Sequence, residues 1–347
     1  DSNRAGYSDR DYHAATKARR IYEMIGYPST KDYRNMIEHN LLGDTDITLR
    51  DITNAQEIFG PSIAALKGKT VRRTPETVVS DYVQVPSSIM DKYKMVELCV
   101  DIMFVNKVPI LVTISRHIKF TTVDVLDDRS ARRISQSLQQ VYELYMRRGF
   151  QVVVCYLDPE FEPLKKITTE ISAVLNTTGA KEHVPEVERQ IRVIKERVRA
   201  VRSTLPYNII PKIMVGMMVR YVVSWLNNFP PTGGVSTTAS PRLIVTGTKL
   251  HIDKHCRIPF GAYAQVHEEN QPTNSTRPRT IGAIALGPTG NIQGSVHFLS
   301  LNTGELINRR SFTELPATVE VIARVDELGK LSHQTPNLLF SDRHGKD

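Results

Sequence analysis

The sequence predicts an α/β protein: a mixed sheet flanked by helices in the middle of the chain, a helical segment before it and a small β-barrel after it. Three observations predict this. Between residues 95 and 157, short β-rich runs and one helical stretch follow each other in the order βββαβ. Residues 185–203 carry apolar side chains at an unbroken helical spacing. From about residue 261 to 325 the chain breaks into short apolar runs between turns.

Composition bounds the answer. The 347 residues are 40% hydrophobic and 24% charged, which is globular material long enough for two or three domains. Lys and Arg number 45 against 37 Asp and Glu, a formal net charge of +8 that suits a polyanionic partner such as nucleic acid. Cys99, Cys155 and Cys256 are scattered and form no CxxC pair. Neither a disulfide framework nor a cysteine zinc site is expected, and a reducing compartment fits. The chain opens without Met and without an apolar leader, so a fragment or processed product is expected. The most apolar stretch, 209–226, contains Pro211, Lys212 and Arg220 and falls short of a membrane span, so a membrane is not an expected partner.

Taken in order, residues 12–42 read as two helices. Ala18, Ile21, Met24 and Ile25 share a face of the first; Gly26-Tyr27-Pro28-Ser29 makes a turn; Tyr33, Met36 and Ile37 lie in the second. A third helix is expected from Thr53 to Phe59, then a basic linker over 67–75. Residues 96–103, 109–115 and 120–126 are β-rich and separated by Asn106-Lys107 and Arg116-His117, which predicts three consecutive antiparallel strands. A helix over 130–148, with Ile134, Leu138, Val141, Leu144 and Tyr145 on one face, stops at Gly149 and leads to a strand over 151–157. A helix over 160–173, a strand over 174–176, a polar loop and the long helix follow. That continuation completes an RNase H-like order, a five-stranded mixed sheet flanked by helices. A helix over 213–227 and the loop 229–234 connect it to the barrel region. From Gly329 onward no periodicity remains, so a disordered tail or the start of a following segment is expected.

The chemistry rests on three acids. Asp101 lies on the first strand, Asp158 ends the strand that neighbours it in such a sheet, and Glu188 lies near the start of the long helix. Phosphodiester transfer needs both the attacking and the leaving oxygen stabilised, which two divalent ions held by three carboxylates from three elements can do. Taken singly, an Asp at a strand end usually caps a turn and a Glu in a first helical turn usually serves the helix dipole, so the acids carry meaning only as a set. In the long helix, Val187, Ile191, Ile194, Val198 and Val201 form the apolar stripe. Glu188, Arg192, Lys195, Arg199 and Arg202 repeat on the neighbouring face at the same spacing. A solvated surface accounts for such a face as readily as DNA contact does.

Several segments are similar to copia-type retrotransposon integrases. The residues leading to Asp101, the run Leu157-Asp158-x-Glu160-Phe161, and Val187-Glu188-Arg189 followed by Arg192 resemble the three motifs of that family, in its order. Ile25-Gly-Tyr-Pro-Ser29 and 67–72 resemble the pre-integrase region, and 279–287 with Asn302-Thr-Gly304 resemble the family's SH3-like barrel. The resemblance extends over roughly residues 15–325. It implies a helical pre-integrase-like segment and linker over 1–92, an RNase H-like catalytic core over 93–230, an SH3-like barrel over 231–326 and a tail over 327–347. It further implies a DDE-type polynucleotidyl transferase that trims element cDNA ends and joins them to target DNA. Asp101, Asp158 and Glu188 would hold two Mg²⁺ or Mn²⁺, and Arg189, Arg192, Lys195, Arg199 and Arg202 would contact DNA. A homo-oligomer acting in the nucleus after assembly in cytoplasmic virus-like particles is the corresponding setting.

Three departures separate the chain from the family pattern. Tyr22 and Tyr27 stand at the expected His positions of the N-terminal zinc site and no Cys precedes Cys99, so no zinc is expected. Pro159 follows Asp158 where the family has a more mobile loop, and only residues 159–187 separate the second acid from the third, a shorter interval than usual. Glu182 and Glu186 compete as the third ligand, although Glu186 lies off the basic face. These departures keep an alternative open, a decayed or domesticated nucleic-acid-binding protein with an integrase-like fold.

Overall fold

The computed structural model describes residues 2–43, 45–71, 82–166, 174–177, 185–268 and 276–341. Four helices come first: α1 (Asp9–Met24), α2 (Thr30–Glu38), α3 (Leu49–Phe59) and α4 (Ile63–Lys69). Each starts behind a Ser or Thr whose hydroxyl accepts a first-turn N–H: Ser8, Ser29, Thr48 and Ser62. At α3, Thr48 and Asp51 form a reciprocal capping box, so the helix starts a turn ahead of the Thr53 boundary expected from apolar spacing.

The middle of the chain follows the expected order. Helix α5 (Ser87–Tyr93) leads into β1 (Met95–Val105), β2 (Val108–Ser115) and β3 (Thr121–Val125), then α6 (Ala131–Met146), β4 (Gln151–Leu157), β5 (Val174–Thr177) and α7 (Pro185–Ser203). Between β4 and β5, Pro159–Lys166 is a 3₁₀ helix in place of the start of the α-helix expected over 160–173. Pro163 sits inside it, and a proline there lacks the N–H and clashes with the preceding turn of an α-helix. The rest of that expected helix and most of the expected loop over 177–183 lie outside the described residues.

The remainder comprises α8 (Lys212–Asn227), α9 (Pro241–Thr246), α10 (Ile252–His255), β6 (Tyr263–His267), β7 (Thr280–Pro288), β8 (Val296–Ser300), β9 (Leu306–Arg309), β10 (Phe312–Glu314), α11 (Val319–Leu331) and β11 (Phe340–Ser341). Among the described residues no helix is long and apolar enough to cross a membrane.

The chain divides into two compact units. One consists of Asp1–Thr74, Tyr263–Gly282 and Ser311–Pro316. Its helices close over Ala15, Ala18, Tyr33, Ile52, Ala55 and Ile58, and the buried Tyr33 hydroxyl donates to the Ala18 carbonyl at 2.9 Å. Within this unit β6 pairs antiparallel with β10.

The other unit consists of Pro75–Ala262, Ala283–Arg310 and Ala317–Asp347. Here β8 pairs antiparallel with β7 and with β9, so antiparallel strands follow the core as expected. The main sheet has the order β3-β2-β1-β4-β5. Strands β1 and β3 each run antiparallel to β2, while β4 runs parallel to β1 and β5 parallel to β4, the arrangement of an RNase H-like sheet. Side chains alternate across it. Leu98, Val100, Cys155 and Leu157 enter a core with Ile134, Leu138 and Tyr145 of α6. On the opposite face α7 packs against β1 and β2, and α8 against β2 and β3.

Two expectations need correction. The sheet has six strands, because β11 pairs antiparallel with the end of β1. Consequently the segment expected to be a disordered tail is ordered as far as Ser341: α11 runs to Leu331 behind a Thr318 cap, and Asn106 holds Leu339 through a pair of hydrogen bonds.

Candidate functional site

The parallel ladder between β1 and β4 ends at the pair Val100–Leu157. The next residues on the two strands are Asp101 and Asp158, so the register sets these acids at neighbouring positions. Because Val100 and Leu157 point into the α6 core, the alternation carries Asp101 to the face on which α7 packs. Both acids are half-buried. The Ile102 N–H donates to Asp101 Oδ1 at 2.7 Å, which fixes one carboxylate oxygen. Strand β1 continues beyond this point while β4 ends at Leu157, so from Asp101 onward β1 is not paired with β4.

Glu188 occupies the exposed side of α7. The stripe Val187, Ile191, Ile194 and Val198 is buried. Among the described residues, no group of three or more His, Cys, Asp or Glu is gathered closely enough to hold a metal ion. Adjacency of β1 and β4 in the sheet thus sets Asp101 and Asp158 at neighbouring positions, and Glu188 is not gathered with them into one group. Two carboxylates are hard oxygen donors, and Mg²⁺ is commonly held by one or two carboxylates with substrate phosphates and water completing its shell. The pair fits such an ion; the three-acid cage is not assembled.

A second polar cluster lies on the same face, toward the start of β1. Arg116 Nη1 donates to Glu97 Oε2 and Arg116 Nε to Glu186 Oε1, both at 3.0 Å, and the guanidinium lies 5.0 Å from the centre of the Tyr156 ring. Glu97 is held below the ordinary glutamate range chiefly by its Arg116 hydrogen bond. Burial pulls Glu186 upward, but the N–H at the helix start and Arg116 outweigh it, leaving its pKa lowered. Burial and the nearby Glu186 push the Cys99 thiol up to about 12. The cluster therefore pins the first turn of α7 to β1. Reading the sequence placed Arg116 in a turn and discounted Glu186; the available signal was the period-two spacing of Glu97, Cys99 and Asp101, which puts all three on one face.

Of the six basic residues of α7, the five expected to contact DNA fall into two groups. Arg189 and Arg192 are exposed. Lys195 Nζ and the Arg199 guanidinium lie 5.9 and 4.9 Å from the centre of the Phe340 ring, and Arg202 Nη2 donates to the carbonyls of Asn208 (2.8 Å) and Pro336 (3.1 Å).

No family model and no curated protein matches the chain. Among solved structures, the catalytic core domain of BIV integrase is similar over 43% of this chain and 92% of its own, at 18% identity and a TM-score of 0.32. A likeness of that size carries no weight for function, and the fold reading rests on the strand order and directions given above.

Proposed function

We propose that the chain is an integrase-type polynucleotidyl transferase acting on DNA. The observation that carries this reading is the register of the parallel strands β1 and β4, whose ladder ends just before Asp101 and Asp158, in a sheet one face of which bears the basic helix α7. The reaction would be hydrolytic trimming of a DNA 3′ end, then attack of the new 3′-hydroxyl on a phosphodiester of a second duplex, with no covalent enzyme intermediate. Asp101 and Asp158 would hold Mg²⁺ or Mn²⁺, with Glu188 as the third ligand once DNA is engaged; the ions would supply charge neutralisation at the reacting phosphate. Arg189, Arg192, Lys195, Arg199 and Arg202 would hold phosphates, contacts that position a duplex without selecting its sequence. Arg116 would keep α7 docked through Glu186. By analogy with the family, a homo-oligomer working in the nucleus is the setting we propose.

The test is strand transfer by the full chain with a blunt duplex and Mg²⁺ or Mn²⁺. Joined products that disappear in Asp101→Asn and in Glu188→Gln support the proposal. A specific observation favours a second reading, a nucleic-acid-binding relic: among the described residues the three acids are not gathered into one group. Duplex binding with no joining under either metal would decide for that reading.

A further inference from the structure

Beyond the acids, the β1 edge that β4 leaves open is filled by the chain's own C-terminal segment. Phe340 stands opposite Val105 and Ser341 opposite Phe104 in an antiparallel pair. Phe104 is three residues past Asp101, roughly 10 Å along the strand at about 3.3 Å per residue. The segment is latched by Asn106: its N–H donates to the Leu339 carbonyl and its Oδ1 accepts the Leu339 N–H, both at 2.8 Å. Asn106 Nδ2 also donates to Gln334 Oε1 at 3.1 Å. Upstream, the Ser332 hydroxyl accepts the Lys212 N–H at 3.1 Å, so the segment leaves α11 from a fixed point.

What the segment covers is specific. Paired residues of an antiparallel ladder project to one side, so Phe340 shares the face of Val105 and Asp101, and there its ring meets Lys195 and Arg199. Four residues before it, the Pro336 carbonyl accepts from Arg202. Three cations of one helix face are thus engaged by an aromatic ring and a main-chain oxygen, both of which compete poorly with phosphate for Arg and Lys. Strand addition at an open edge supplies the docking, and a two-residue pairing is short enough to open.

We propose that residues 334–341 form an autoinhibitory strap that occupies the β1 edge beyond Asp101 and competes with DNA for Lys195, Arg199 and Arg202. This rests on the reading of α7 as a DNA-holding helix. Release of the strap removes its contacts with the three cations, and duplex DNA displaces the strap as it binds.

The experiment compares the full chain with Leu339→Pro, which removes the N–H that Asn106 accepts, and Phe340→Ala, which removes the ring. Duplex binding is followed by fluorescence anisotropy across a salt series, and strap docking by hydrogen exchange at the Asn106 amide. Both variants are expected to exchange faster at Asn106 and to bind a short duplex more tightly, on the order of tenfold at low salt. Their log K against log salt plots should steepen by about 2–3, the counterion release of three added phosphate contacts at roughly 0.9 each. Adding Arg199→Ala to Leu339→Pro should return part of that gain. Faster exchange with unchanged affinity and salt slope overturns the strap while leaving DNA binding intact. Unchanged exchange in both variants overturns it as well, because the segment is then not docked through these contacts. Absence of duplex binding by every form instead overturns the reading of α7 on which the proposal stands.

Discussion

Replacing Arg116 with Met keeps the aliphatic stem and removes the guanidinium that joins β1 to α7. Its side chain is 41% exposed, and Glu97 and Glu186 are 30% and 23% exposed, so each ion pair is partly screened and contributes about 1 kcal/mol. The guanidinium over Tyr156 adds about 0.5–1 kcal/mol. Removal also leaves two carboxylates on one face with no cation between them. The expected loss is about 2–3 kcal/mol at neutral pH, read from the urea midpoint, with faster hydrogen exchange in the first turn of α7. The sign with pH follows from the depressed carboxyl values. A carboxylate whose pKa folding lowers contributes stability above its unfolded value, about 4.3 for Glu, and that contribution is lost as pH falls through the folded value. Wild type and Arg116→Met should therefore differ most near pH 7 and converge toward pH 3. A difference below 0.5 kcal/mol at pH 7, or one that persists unchanged in acid, would refute the argument.

Three further outcomes follow from other parts of the unit. Asn227 accepts the Thr121 N–H at 2.9 Å and donates to the Thr121 carbonyl at 2.7 Å, both buried, so Asn227→Leu strands two backbone groups and should cost about 2–5 kcal/mol in urea unfolding; a loss under 1 kcal/mol contradicts this. A Cβ at Gly329 would lie 2.6 Å from the Ile209 carbonyl oxygen, so Gly329→Ala should destabilise by about 1–3 kcal/mol, outweighing the roughly 1 kcal/mol that alanine gains in a helix; a higher melting temperature contradicts this. Buried Cys99 and Cys155 have thiols pushed up to about 12 while Cys256 is exposed, so maleimide at pH 7 should add a single label to the native protein, and a native adduct on Cys155 would show that α6 opens readily.

How much of this was legible in the sequence depended on the range of the interaction. Helix α7 was readable because its apolar stripe repeats locally without a break, and its bounds match the expected 185–203. Asp101 and Asp158 were readable as a pair because β1 and β4 are β-rich runs in an order that makes them neighbours. The start of α3 was missed because a capping box, Thr48 with Asp51, sets it ahead of the first periodic apolar residue. The pairing of Arg116 with Glu186 was not legible because it spans 70 residues, and no local pattern encodes it. Strand β11 has two residues and no periodicity; its pairing depends on Asn106, which read only as a turn residue between strands.

The proposed function requires Asp101 and Asp158 to act as one metal-holding pair. Titration of the full chain with Mn²⁺, followed by loss of the free-ion electron paramagnetic resonance signal, tests it most directly. Asp101→Asn and Asp158→Asn should each weaken binding by at least about tenfold, the loss that even an indirect metal partner commonly causes. Mn²⁺ affinity unchanged in either variant would contradict it.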